Sequence, residues 1–357
     1  MALPYVKINF ANGSIGGTEP MDDGVTLMLL SGFSADIDCL NYEDFLSQNS
    51  NTDKPEVAAF YHQAGRNTRL IISSETLSEA NLKALLAKYN GEIRTVVFYG
   101  VEDSATITLL SSVGTWAAET LLAPVLFLVQ ADETYINTVP DFKALEKSRV
   151  AVVDSLFDAD ETPVLYYVAG RLAVSPVQRS LARVKDGSLF CTEVYNSSDS
   201  LVDNTYAETR HAKGLITARV YIGKSGFYIS DDPMTMPATD DYALIPRRRT
   251  IDKAYRIAYK TLVDYVGEEI PATDSGNIPS PVCKEIENAV ERAVYTLMTT
   301  EGNLGADPTD PGDTGVICFV DPQQNVVSTS KLNIILKVKP YGYAKYIEVN
   351  LGFYTNK

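Results

Sequence analysis

The feature that most restricts the fold is a rhythm in the first half of the chain. Short, uninterrupted apolar runs at Val25 to Leu30, Arg69 to Ser73, Thr95 to Tyr99, Val125 to Gln130 and Val150 to Asp154 alternate with helical segments. A strand that is apolar on both faces must be covered on both faces, which a mostly parallel sheet with crossover helices achieves. The intervening helical readings are Leu77 to Tyr89, Ser104 to Leu122, Asp141 to Lys147 and Pro163 to Leu172, the last interrupted by Pro176. Tyr42 to Leu46 and Pro55 to Ala64 read as helical or irregular. Thr76 and Glu79 have the spacing of a capping box, and Asn90-Gly91 can close the helix they start.

The pattern changes after Gly187. Residues Gly187 to Tyr206 are polar, with Ser197, Ser198, Asp199 and Ser200 together, and a domain boundary is expected at residue 200. Beyond it, Leu215 to Ile222 and Gly226 to Ser230 flank the turn Gly223-Lys224-Ser225-Gly226, a hairpin signal. Thr250 can cap a helix that holds Asp252 in its first turn, followed by an apolar stripe at Ile251, Ala254, Tyr255, Ala258, Leu262 and Tyr265. A second helix starts with Ser280 as N-cap and Pro281 at the first position, and ends at Gly302. Its stripe is Cys283, Ile286, Val290, Ala293, Val294 and Leu297. After the loop Gly302 to Gly315 come a strand, Val316 to Val320, and the alternating Leu332, Ile334, Leu336 and Val338. Pro340-Tyr-Gly-Tyr turns the chain into a last strand, Tyr346 to Phe353, with Ile347, Val349, Leu351 and Phe353 on one face.

The order of these C-terminal pieces resembles that of contractile tail sheath proteins, the family of phage tail sheaths and related injection systems. The segments that carry the likeness are the hairpin, RRRTIDKAYRIAYKTLVDYV from Arg247, PSPVCKEIENAVERAVYTLMTTEGNLG from Pro279, and KLNIILKVKPYGYAKYIEVNLGFYT from Lys331. It covers residues 206 to 357, and the first half only through its α/β rhythm. The fold expected is α+β: an N-terminal arm at 1–24, an α/β domain at 25–200, and a C-terminal domain at 201–357. That last domain would hold mixed β-sheet and two amphipathic helices, with a terminal arm at 346–357.

The resemblance implies a structural subunit and not an enzyme. Copies would polymerise around a tail tube, meet baseplate proteins, and contract to drive the tube through a target envelope. The chain would be found in a phage tail or a bacterial injection apparatus assembled in the host cytoplasm. It also implies that terminal strands are donated to the sheets of neighbours. The matching positions here are Tyr5, Val6, Ile8 and Phe10 at one end and Tyr346, Ile347, Val349, Leu351 and Phe353 at the other. The N-terminal run alternates Tyr5, Lys7 and Asn9 with Val6, Ile8 and Phe10, and a lone strand must find a sheet to satisfy its backbone. The alternative reading is a soluble ligand-binding or adhesion protein of a phage or bacterium.

Composition fits without deciding. The net charge of −15 argues against a nucleic-acid partner, which calls for a basic face. Cys39, Cys191, Cys283 and Cys318 form no CxxC pair and read as free, buried thiols. No apolar run is long enough to insert in a membrane, since Pro124 interrupts the longest, Leu121 to Val129. The start of the chain does not read as a secretory signal.

No catalytic, metal or cofactor site is expected. His62 and His211 lack metal-ligand spacing. Gly223-Lys224-Ser225 runs from strand to strand, whereas a phosphate cradle needs a helix N-terminus. There is no GxSxG. The acidic pairs Asp22-Asp23, Asp231-Asp232, Asp240-Asp241 and Glu268-Glu269 read as solvated turn or helix-end residues. One charge pattern stands out. Arg249, Lys253, Arg256 and Lys260 form a basic stripe at i, i+4, i+7 and i+11, read either as a solvated face or as a site for an acidic tube or neighbour surface. On the second helix, Lys284, Asn288, Arg292 and Tyr295 are the outward positions.

Overall fold

The computed structural model describes residues 22–50 and 52–353, so the expected N-terminal strand with Tyr5, Val6, Ile8 and Phe10 lies outside the described residues. The first unit runs β1 (Thr26–Leu29), β2 (Ile37–Cys39), α1 (Tyr42–Gln48), α2 (Pro55–Ala64), β3 (Leu70–Ser73), α3 (Glu79–Lys88), β4 (Thr95–Val101), α4 (Ser104–Glu119), β5 (Leu126–Ala131) and α5 (Glu133–Thr138). It continues through β6 (Val150–Val153), β7 (Leu156–Asp158), α6 (Leu165–Val174), β8 (Val194–Asn196), α7 (Asn204–Ala212), β9 (Ala218–Arg219) and β10 (Tyr228–Ile229). Six strands form one sheet in the order β2-β3-β1-β4-β5-β6. Every pairing is parallel except β2 with β3.

The period of two explains why these strands are apolar throughout. Met28, Ile72, Val97, Leu128 and Ala151 face one core, which also contains Phe60 of α2 and Leu165 and Val168 of α6. Leu27, Ile71, Val96, Phe127 and Val150 face the other, with Leu82, Leu86, Leu110 and Ile136 from α3, α4 and α5. The sheet is therefore covered on both faces, as its composition requires. Helices α2 and α6 approach so closely that a Cβ on Gly170 would lie 2.3 Å from the Phe60 carbonyl oxygen, which leaves glycine as the fitting residue.

The expected boundary at residue 200 is displaced. Leu215 joins one core of the sheet, and Ile216, Ala218, Phe227, Ile229, Met234 and Ile245 join the other. Ile216 bonds directly beside β6, donating to Val152 O and accepting from Asp154 N, both at 2.9 Å. The polar stretch after Gly187 is thus a surface excursion, and the chain returns to the same sheet before leaving it. The hairpin is shorter than expected, with β9 and β10 pairing over two residues each.

The junction between units falls inside α8 (Ile245–Leu262). Ile245 belongs to the first core, whereas Ala254 and Ile257 belong to the second. This helix starts earlier than Thr250: Leu244 is the N-cap, Pro246 occupies the first turn, and Thr250 is buried inside. The second unit adds α9 (Ser280–Val294), β11 (Val316–Val320), α10 (Val326–Thr329) and β12 (Ile334–Val338). The N-cap position of α9 is Pro279, which makes no capping bond, and the expected cap Ser280 is the first helical residue. A π-helical turn at Tyr295–Thr299 follows and shifts the register. Met298 is consequently buried, and Leu297, expected on the apolar stripe, is 45% exposed. β11 and β12 form an antiparallel pair whose Val316 and Cys318 pack on Ala254, Val290 and Val294.

Candidate assembly surface

The expected strand Tyr346 to Phe353 forms no ladder with the described residues. Its apolar residues stand in water, with exposures from 77% at Val349 to 106% at Phe353, and with Tyr346, Ile347 and Leu351 between. Burying each such side chain is worth about 1.5–3 kcal/mol, so a row of them at alternate positions is unfavourable until covered.

The root of this segment is held. The Tyr343 hydroxyl donates to the Gln178 carbonyl at 2.7 Å, and Lys345 Nζ reaches both oxygens of Asp231 at 2.6 Å. The segment 341–347 so crosses to the first unit and roofs an open cavity of about 1010 Å³ bordered by Arg179, Arg183, His211 and Arg219. Asp231 and its neighbour correct the expectation of a solvated acidic pair. Asp232 is fully buried, with Oδ2 accepting from Leu181 N–H at 2.8 Å. Burial and the adjacent Asp231 charge both push its carboxyl above the usual range.

The basic stripe on α8 also meets a different fate from the one expected. Its residues do share a face and do meet an acid, but that acid is internal. Lys253 Nζ lies 2.9 Å from Asp23, and Arg256 bonds the same carboxylate. Arg249 is buried, donating to Ser175 O at 3.0 Å and Asp23 O at 3.1 Å. Burial alone would raise the Asp23 carboxyl, but the charges of Arg256 and Lys253 outweigh it and hold it below the usual range. Arg249, Lys253 and Arg256 are therefore not free for a tube or neighbour; only Lys260 is exposed. Taking these cations and the carboxylate out of water is costly, and their mutual attraction and hydrogen bonds offset that cost. The Asp22-Asp23 pair was visible in the sequence, but nothing local linked it to a helix more than 200 residues away.

A second buried cluster adjoins. Arg149 donates to Asp252 at 3.1 Å, and Arg248 bonds the same carboxylate from one helical turn away. Asp252 thus lies within α8 and ties it to the first unit, where it was expected to favour a helix start. On α9, Lys284, Asn288, Arg292 and Tyr295 are exposed as expected. Glu287 of the same helix is buried, a position that sequence reasoning missed. Its signal was its place between Cys283 and Val290 on the apolar stripe. All four cysteines are free and buried. Burial pushes the thiols of Cys39 and Cys191 up to about 12 and that of Cys318 to about 11.

The architecture matches solved structures of contractile systems. A chain of the anti-feeding prophage baseplate, in a 6-fold symmetrised cryo-EM structure, aligns with a TM-score of 0.66 at 16% identity, covering 99% of this chain and 100% of that one. A chain of the same baseplate in its contracted state gives 0.61 at 12% identity, covering 99% and 98%. The sheath tail protein of Desulfitobacterium hafniense gives 0.56 at 11% identity, covering 93% and 99%. These likenesses bear out the sheath-like α/β architecture read from the sequence. No helix among the described residues is long and apolar enough to cross a membrane. No curated protein matches the sequence. Two family models cover most of its length, the DUF2586 N-terminal domain over residues 3–233 and the DUF2586 C-terminal domain over residues 241–357, and the chain belongs to the DUF2586 family.

Proposed function

We propose that this chain is a structural subunit of a contractile tail, a sheath protein that polymerises with copies of itself around a tail tube. The observation that carries this reading is the C-terminal segment. Its root is fixed by Tyr343 and Lys345, and beyond it alternate apolar side chains project into solvent with no ladder partner among the described residues. Such a segment completes a sheet in another copy through main-chain hydrogen bonds, which tolerate relative sliding of the globular parts better than side-chain packing does. The sheath-like fold shared with the anti-feeding prophage baseplate chains and the Desulfitobacterium sheath tail protein supports the same reading. Energy for contraction would reside in a metastable extended lattice, and the subunit would act as a mechanical element with no catalytic step. Its exposed α9 face, with Lys284, Asn288 and Arg292, offers polar contacts to the tube or to neighbours that exchange for water at low net cost.

Removal of residues 346–357 tests this. The truncated chain is expected to fold, with an unfolding midpoint close to that of the full chain, and to remain monomeric at concentrations where the full chain forms tubes in negative-stain electron microscopy. Tubes of normal appearance from the truncated chain would rule the reading out.

A further inference from the structure

The cavity roofed by segment 341–347 differs in charge from the rest of the molecule. In a chain of net charge −15 it gathers Arg179, Arg183, Lys185, Arg219 and Lys345 around about 1010 Å³, with His211 beside them. Three of these cations are paired within the chain. Arg183 lies 2.6 Å and Arg179 3.8 Å from Asp186, and Lys345 holds Asp231. Arg219 and Lys185 have no ion-pair partner among the described residues. Besides Asp231, the acid that borders the cavity among the described residues is Glu208, exposed on α7.

Arg219 is the informative residue. Its guanidinium stacks on the Tyr221 ring, 4.3 Å from the centroid, and that ring meets Tyr228 edge-on at 5.3 Å. Its Nε is shut off from water and has no hydrogen-bond partner among the described residues, and His211 Nδ1 is in the same position. Buried donors are nearly always paired, so an acceptor from outside the described residues is called for. Stacking fixes the plane of a guanidinium, whose fork of N–H donors matches a carboxylate in a bidentate pair. The cavity is too large for a lone anion and is of the size that larger ligands fill. A carboxylate carried on a peptide satisfies both the charge and the volume.

The chain carries such a peptide on its second unit. Between α8 and α9, residues 266–274 are irregular and almost wholly exposed, with Glu268, Glu269 and Asp274 among them. Ile270 packs beside Ile278 and Cys283 and roots the loop, while Val266 stands 81% exposed. No residue of this loop borders the cavity of its own chain. We propose that the cationic cavity is a docking site for the acidic loop 266–274 of a second copy, with Glu268 or Glu269 paired to Arg219 and Lys185. The inference rests on the reading that copies assemble, and adds a contact separate from the C-terminal segment. A cavity on one unit and a loop on the other make a heterologous contact, which continues from copy to copy and does not close on a pair. Its charges also steer encounter and exclude a loop of the wrong sign.

The test reads the site without any lattice. A fluorescently labelled peptide of residues 264–275 is titrated with the dispersed full chain, and binding is followed by anisotropy. Saturable binding that weakens with added salt is expected, with a loss of about tenfold or more in Arg219→Gln. The same loss is expected when the peptide carries Glu268→Lys and Glu269→Lys. Lys185 is exposed, so Lys185→Gln keeps the test valid should Arg219→Gln not fold, and it too is expected to weaken binding. Absence of saturable binding, or equal binding by Lys185→Gln and by the charge-reversed peptide, would overturn the proposal. Inorganic phosphate that binds the full chain in an Arg219-dependent way while the peptide does not would also overturn it, assigning the cavity to a different anion. Because the readout needs no assembly, its failure is distinct from the appearance of normal tubes in the truncated chain.

Discussion

Asp154 sits at the end of β6 with no exposed surface, accepting from the Thr217 hydroxyl at 2.9 Å and the Tyr206 hydroxyl at 3.3 Å. Burial pushes its carboxyl up to about 6, outweighing the charge of Arg210, whose Nε lies 3.6 Å away. The folded pKa is thus above the ordinary carboxylate value of 3.8, and the folded chain holds the proton more tightly than the unfolded one. This contribution is fully present below about pH 4 and is lost as pH rises through 6, a change of roughly 3 kcal/mol. Relative to wild type, Asp154→Asn should therefore gain stability between pH 4 and pH 7 by about that amount in denaturant titrations. A stability difference that does not vary across this range would contradict the assignment. At this scale the sequence told least. Asp23, Asp231 and Asp232 are identical in local context to acids that stay solvated, and only the fold brings cations to the first two and removes water from the third.

Among the elements, the fastening of the C-terminal segment can be loosened without unfolding anything. Asp231→Asn keeps the oxygen that accepts from the Asp232 N–H at 2.9 Å but removes the charge that binds Lys345. A partly exposed ion pair of this kind is worth ~1 kcal/mol, so tryptic cleavage after Lys345 should be about fivefold faster in the variant. Equal cleavage rates would show that the contact does not restrain the segment. The elements themselves were largely legible. Strands β1, β4, β5 and β6 follow apolar runs because each is buried on both faces, and α4 starts where Asp103 caps it. The stripe of α9 was read correctly up to Val294 and failed at Leu297, because a π turn depends on tertiary packing and leaves no periodic trace. The alternation of 346–353 was legible as a strand, but its partner does not lie within the described chain, so no ladder forms.

For the whole molecule, α8 is the structural joint. Its first turns are set in the α/β unit by Arg149–Asp252 and by the cations around Asp23, and its last turns pack under the β11–β12 sheet. The basic stripe that suggested an external partner therefore ties α8 to Asp23 of the first unit. The sequence placed the boundary too early because a polar loop and a linker have the same composition; only the return of Leu215 and Ile216 to the sheet distinguishes them. On the proposed sheath reading, the two-stranded sheet and the bare C-terminal segment are complementary parts of one inter-subunit structure. A cryo-EM reconstruction of the assembled protein decides this: a tubular lattice in which residues 346–353 of each copy are hydrogen-bonded into the β11–β12 sheet of another is expected, whereas a lattice in which that segment stays unpaired or folds onto its own sheet would overturn it.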